Sequence, residues 1–151
     1  MPNHNIVLFA GELGLVVAAI FTGAALYISL AEQPARLGLD DRALLAEWKP
    51  AYKRGFAMQA PLAIIGFVFG LIAWWERGRP AFLTGALLLL ANWPWTILAI
   101  MPTNNALVAT PADAAGPQSR LLILKWNRLH AVRTLLGCLA VVAFLIALGP
   151  N

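Results

Sequence analysis

Four long apolar runs organise the chain: Ile6 to Leu30, Phe56 to Trp75, Ala81 to Met101 and Ala131 to Leu148, with polar residues gathered between them. At about 1.5 Å of rise per residue, each run is long enough to cross a hydrocarbon layer about 30 Å thick. The pattern therefore predicts an all-α, integral membrane, antiparallel four-helix bundle forming one domain over residues 1–151. The first run is read as a spanning helix and not a secretory leader, because no Lys or Arg precedes it and it is too long. Glu76-Arg77-Gly78-Arg79-Pro80 is a turn too short to do more than join helices 2 and 3 into a hairpin. Asn92-Trp93-Pro94-Trp95 interrupts the third run, and Gly149-Pro150 ends the fourth.

The connections carry their own signals. In loop 1, Asp40 or Asp41 can cap a short interfacial helix whose Leu44, Leu45 and Trp48 share one face, and Pro50 can open the start of helix 2. Loop 3 is Pro- and Ala-rich from Thr110 to Pro117. From Gln118 to His130 the chain should already be helical, so that helix 4 extends into the cytoplasm.

Composition agrees with this reading and narrows it. Hydrophobic residues make up 60% and charged residues 12% of the chain, which excludes disorder and most water-soluble folds. The single cysteine, Cys138, has no partner for an internal disulfide or a dithiol relay. The net charge of +4 matters less than where the positive residues lie. Loops 1 and 3 hold eight (Arg36, Arg42, Lys49, Lys53, Arg54, Arg120, Lys125, Arg128) against two in loop 2 (Arg77, Arg79). The positive-inside rule then puts loops 1 and 3 in the cytoplasm and both termini outside, in a plasma (inner) membrane. The partners expected are the lipid bilayer and a lipophilic small molecule, with no nucleic acid. Gly66 and Gly70 form a small-xxx-small step, read as internal packing before dimerisation; a homo-oligomer or a place in a larger membrane complex stays open.

Candidate chemistry gathers at the cytoplasmic end. Trp126, His130 and Arg133 fall at i, i+4 and i+7 of one helix, and Gly137 extends that face as a place for close approach. An interfacial anchor is the plain alternative, but Arg133 lies inside the apolar run, where a charge is costly unless it faces a pocket or a partner. Asn92, Trp93, Trp95, Thr96 and Asn104 supply a second wall, and Pro94 frees a backbone carbonyl nearby. The plain alternative there is a satisfied kink, with Asn104 and Asn105 capping the helix. Glu12 is a buried charge near the opposite surface, expected to be neutral or bonded to a neighbouring helix. The two histidines, His4 and His130, fall at opposite faces of the membrane and cannot share a metal or a haem within one protomer.

Glu32-Gln33-Pro34, Trp48 with Tyr52, Pro102-x-Asn104-x-x-Leu107 and Trp126-x-x-Leu129-His130-x-x-Arg133 together resemble the anthrone oxygenase-like family of small four-helix membrane proteins. The resemblance covers nearly the whole chain. It implies a cofactor-independent oxygenase acting on a lipophilic aromatic or enolisable substrate, with no flavin or haem. By the same resemblance His130 is the base, Arg133 the stabiliser of the oxyanion and Asn104 the group that orients substrate oxygens, while Trp126 with Trp93 or Trp95 stacks on a flat ring. The alternative is a non-catalytic subunit that packs against a larger complex or binds a lipid or pigment. A pocket lined by His130 and Arg133 separates the two.

Overall fold

The computed structural model describes residues 9–150, so His4, the start of the first run at Ile6 and both chain ends lie outside the described residues. Four helices follow one another: α1 Ala10–Leu37, α2 Asp41–Arg77, α3 Pro80–Ala109 and α4 Pro117–Leu148, each long and apolar enough to cross a membrane. Each packs on its neighbours in sequence, and α4 closes the ring against α1. With connections this short the neighbours run antiparallel. The chain is a multi-pass membrane protein.

Two helices run past the ends that the apolar pattern set for them, and the reason is the same in both. Pro34 and Pro102 should each end a helix, since proline donates no backbone bond and its ring meets the preceding turn. Each is preceded by a π-turn: Gln33 N–H closes Ile28–Glu32 onto the Ile28 carbonyl, and Met101 N–H closes Thr96–Ile100 onto the Thr96 carbonyl. The wider turn takes up one extra residue ahead of the proline, and the helix resumes beyond it. Asn104 and Asn105 therefore sit within α3 and do not cap it.

Loop 1 also differs from expectation. Asp40 does cap a helix, accepting hydrogen bonds from Arg42 N (3.0 Å) and Ala43 N (2.9 Å). That helix does not stop before Pro50, so the short interfacial helix and the second spanning helix are one element. Leu44, Leu45 and Trp48 are buried in a cluster with Ile100, Leu107, Ile123 and Trp126, and this packing holds the turn that Pro50 deprives of a bond. Arg120 of α4 fixes the α1–α2 turn: Nε donates to Asp41 Oδ1 (2.5 Å), and the terminal nitrogens donate to the carbonyls of Leu37 (3.0 Å) and Leu39 (2.5 Å). At the other end Gly78, at φ 66°, closes α2 in a left-handed conformation, and Pro80 opens α3.

The bundle is built with small residues inside and large ones outside, the arrangement expected where lipid and not water surrounds it. Val16, Ile20, Leu71, Leu98, Leu139 and Ile146 face outward, while Ala18, Ala63, Ala86 and Ala140 are buried. Phe21, Phe82, Leu89 and Phe144 are large exceptions, and Phe144 shows how one is accommodated. It lies wholly buried in a notch formed by one glycine from each of the other helices. A Cβ added at Gly14, Gly70 or Gly85 would come within 2.7, 2.8 and 2.9 Å of its ring. Gly66 likewise faces Leu89 of α3, so the small-xxx-small step serves internal packing.

Glu12 is not buried. It is exposed and accepts two hydrogen bonds from Arg77 (3.0 and 3.1 Å), the residue that closes α2. Its partner is on a neighbouring helix, as expected, but the pair sits at the surface because α1 and α2 bring both ends to one level.

Candidate functional site

All four helices contribute a face to one cleft near the end of the bundle that bears the α1–α2 and α3–α4 connections. From α4 come Trp126, His130 and Arg133; from α3, Thr96, Ile100 and Asn104; from α2, Tyr52, Phe56 and Gln59; from α1, Ile28, Glu32 and Arg36. Each set follows helical spacing, which is why one turn after another points the same way. His130, Asn104 and Gln59 are each 1% exposed and Arg133 8%. The α3 and α4 residues meet as the sequence suggested. The walls from α1 and α2 were not foreseen, although Tyr52, Phe56 and Gln59 repeat the i, i+4, i+7 spacing of the α4 stripe.

The two buried arginines differ in their surroundings. Arg36 is held between Glu32, one turn before it, and Glu47, whose Oε2 lies 3.0 Å from Nε. Among the described residues no carboxylate pairs with Arg133. Its guanidinium lies 5.5 Å from the centre of the Phe21 ring, and its Nε is buried without a hydrogen-bond partner. Both amide atoms of Asn104 and the Gln59 nitrogen are also buried and unbonded. The Tyr52 phenol stands beside Asn104 and Arg133, close enough to interact though outside strict hydrogen-bond geometry with the amide. Unsatisfied polar groups are expensive in a membrane interior, so this concentration marks a place where a polar ligand or water completes the set.

A chain of hydrogen bonds fixes how His130 presents its ring. His130 Nδ1 lies 3.3 Å from Ser29 Oγ, Ser29 Oγ 3.2 Å from Thr134 Oγ1, and Thr134 Oγ1 3.4 Å from the carbonyls of Ala25 and His130. Carbonyls can only accept, so Thr134 donates to them and accepts from Ser29. Ser29 then has no hydrogen left for the imidazole and accepts from Nδ1–H. The arrangement that satisfies every bond leaves the lone pair on Nε2, the nitrogen free to serve the cleft. Trp126 stacks on the other side of the ring, 4.9 Å between centroids and 23° between planes. Thr134→Val keeps the shape and removes the donor. It is expected to shift the tautomer population toward Nε2–H, read from imidazole nitrogen chemical shifts, whereas Thr134→Ser keeps the native form.

The unfilled volume of the cleft is ≈ 20 Å³, enough for about one water molecule. Beside it a more apolar chamber of ≈ 50 Å³ shares Phe56, Thr96 and Arg133 and is lined further by Asn92, Trp93 and Met101. Asn92 turns its amide nitrogen back to Leu88 O and Leu89 O (3.2 Å each), and Trp93 donates to Ala60 O (3.2 Å). Trp95 does not join either space. Its indole donates to Leu129 O (3.0 Å) and its ring borders a groove on the outer surface between α3 and α4, because the residue lies one position before the Thr96 face. Among the described residues no group of three or more His, Cys, Asp or Glu side chains is placed to hold a metal.

Comparison with known proteins bears on what this cleft belongs to. The chain is 30% identical over 138 residues to an anthrone oxygenase of Claviceps purpurea, an alignment spanning 82% of this chain and 79% of that protein. It is 30% identical over 146 residues to anthrone oxygenase tpcL of Aspergillus fumigatus, covering 89% and 90% of the two chains. Anthrone oxygenase ptaC of Pestalotiopsis fici is 29% identical over 121 residues, 70% of this chain and 84% of that one. No solved structure matches the chain. The anthrone oxygenase family model matches residues 48–143, a segment that contains every wall of the cleft except the one from α1. The chain belongs to the anthrone oxygenase family.

Proposed function

We propose that this protein is a membrane oxygenase that needs no cofactor and converts a lipophilic, enolisable aromatic, of which anthrone is the simplest case, using dioxygen. The observation that carries this reading is the meeting, in one buried cleft, of a histidine held through Nδ1 by Ser29 and an arginine that has no carboxylate partner among the described residues. A base beside an uncompensated cation suits a reaction that makes an oxyanion from a neutral substrate.

The chemistry closes without an added reductant. His130 Nε2 takes a proton from the acidic CH₂ carbon of anthrone, and the electron pair moves onto the ketone oxygen as an enolate. Arg133 and the amide of Asn104 stabilise that oxygen. The enolate carbon gives its electrons to dioxygen and forms a C–O bond, and protonation yields a hydroperoxide. Loss of the second hydrogen from the same carbon, with cleavage of the O–O bond, leaves the quinone carbonyl and water. One oxygen atom enters the product and the other leaves as water, which accounts for all four electrons. The apolar surroundings help by leaving charge to be stabilised by fixed protein groups in place of solvent.

The orientation that goes with this reading puts the cleft at the cytoplasmic side. Its support is that Arg42, Lys49, Lys53, Arg54, Arg120, Lys125 and Arg128 lie toward that end and only Arg77 and Arg79 at the other. The functional test is conversion of anthrone to anthraquinone by purified protein under ¹⁸O₂. The expected product carries one labelled oxygen, at a rate proportional to enzyme. Conversion no faster than in protein-free micelles contradicts the proposal and leaves the non-catalytic subunit.

A further inference from the structure

The histidine cleft, at ≈ 20 Å³, is far below the roughly 300 to 1,000 Å³ of ordinary small-molecule sites. The body of a flat lipophilic substrate has to lie elsewhere while its reacting carbon reaches His130. A groove of ≈ 450 Å³ runs between α1 and α2 on the outer surface of the bundle, lined by Ala24, Tyr27 and Met58. Its floor consists of Ile28, Glu32, Ala51 and Gly55, and all four also line the cleft. Only one layer of side chain separates the two spaces.

The partition is thin at a particular point. Gly55 presents no side chain, and a Cβ there would sit 3.8 Å from Ile28 Cδ1, an ordinary contact. Ile28 opens the π-turn of α1, so its side chain leaves the helix where the backbone winding changes. The groove on the opposite side, ≈ 480 Å³ between α3 and α4, is of similar size but shares no residue with the cleft. Size alone does not distinguish the two grooves; continuity with His130 does.

We propose that the α1–α2 groove is the binding and entry site for the lipophilic substrate, which arrives from the bilayer, lies between Tyr27 and Met58, and passes its acidic carbon over Gly55 and Ile28 to His130. This rests on the reading of the protein as an oxygenase. Arg54 in the lining and Glu32 in the floor give a phenolic oxygen of the substrate polar contacts, while Ala24, Tyr27 and Met58 supply apolar surroundings for the rings.

The test fills one groove at a time. Ala24→Phe narrows the α1–α2 groove without touching the cleft, and Ala99→Phe does the same to the α3–α4 groove. With anthrone as substrate, Ala24→Phe is expected to raise KM about tenfold with kcat kept within about twofold, and Ala99→Phe to change neither. Equal kinetics for the two variants, in a wild-type protein that turns anthrone over, overturns the groove and leaves the oxygenase standing. A wild-type protein that turns over no anthrone overturns the oxygenase reading instead. The groove is then decided by photolabelling with benzophenone, where adducts at Tyr27 and Met58 support it and adducts confined to the α3–α4 groove overturn it.

Discussion

Replacing His130 with alanine is expected to lower anthrone turnover by about 100-fold or more while leaving the bundle folded. The imidazole is wholly enclosed, with Ser29 fixing Nδ1 and Trp126 covering one face, so no other side chain can move into its place without disturbing α1. Glu32 and Tyr52 also line the cleft, but the carboxylate is paired with Arg36 and the phenol is set against Asn104 and Arg133. The residual rate should come from Arg133 and Asn104, which still stabilise whatever enolate forms spontaneously. Steady-state assay in detergent, with helicity checked by circular dichroism, measures both halves of the prediction. Turnover within about threefold of wild type in a folded His130→Ala protein removes histidine from the mechanism.

The largest structural effect is expected at Phe144. Its ring fills a notch made by Gly14, Gly70 and Gly85, and it touches Phe82 with centroids 6.2 Å apart. Because the three glycines carry no side chains, little besides Phe82 borders the space that Phe144→Ala would leave, and the gap is filled poorly. In water such a change costs about 3–5 kcal/mol. Lipid is as apolar as the core, so the transfer part shrinks in a bilayer while the lost packing remains, and a loss near the lower end, about 3 kcal/mol, is expected. Unfolding by sodium dodecyl sulfate titration from mixed micelles measures it. A loss under about 1 kcal/mol means that the helices close around the gap and that the glycine notch does not set their spacing.

How much of this was legible in the sequence depended on which physical signal each element carried. The four spans were plain because apolar length is a strong signal in a membrane chain. Convergence of His130, Arg133 and Asn104 followed from helical spacing and from the cost of a lone arginine in an apolar run. The helix ends at Leu30 and Met101 were misplaced because proline is a reliable breaker only when the helix has no means of widening, and the π-turns before Pro34 and Pro102 supply one. The same error hid the α1 wall. With α1 stopped at Leu30, Arg36 was counted as a loop cation, whereas it is buried beside Glu32 and Glu47. Tyr52 and Gln59 escaped because Pro50 appeared to begin a new helix, which obscured the face they share with Leu45 and Trp48. Trp95 was grouped with Trp93 by sequence proximity, and a helix separates residues two apart by slightly more than half a turn.

The measurement that tests the central claim most directly separates the base from the oxygen chemistry. Anthrone held with purified protein in deuterated buffer, without dioxygen, should exchange its acidic hydrogens for deuterium faster than in protein-free micelles. In His130→Ala the exchange should fall to the protein-free rate. Exchange that is fast in wild type and lost in the variant places the proton acceptor at His130 whatever follows with dioxygen. Exchange that is no faster with wild-type protein than without it, in a preparation that oxidises anthrone once air is admitted, contradicts base-initiated oxygenation in this cleft.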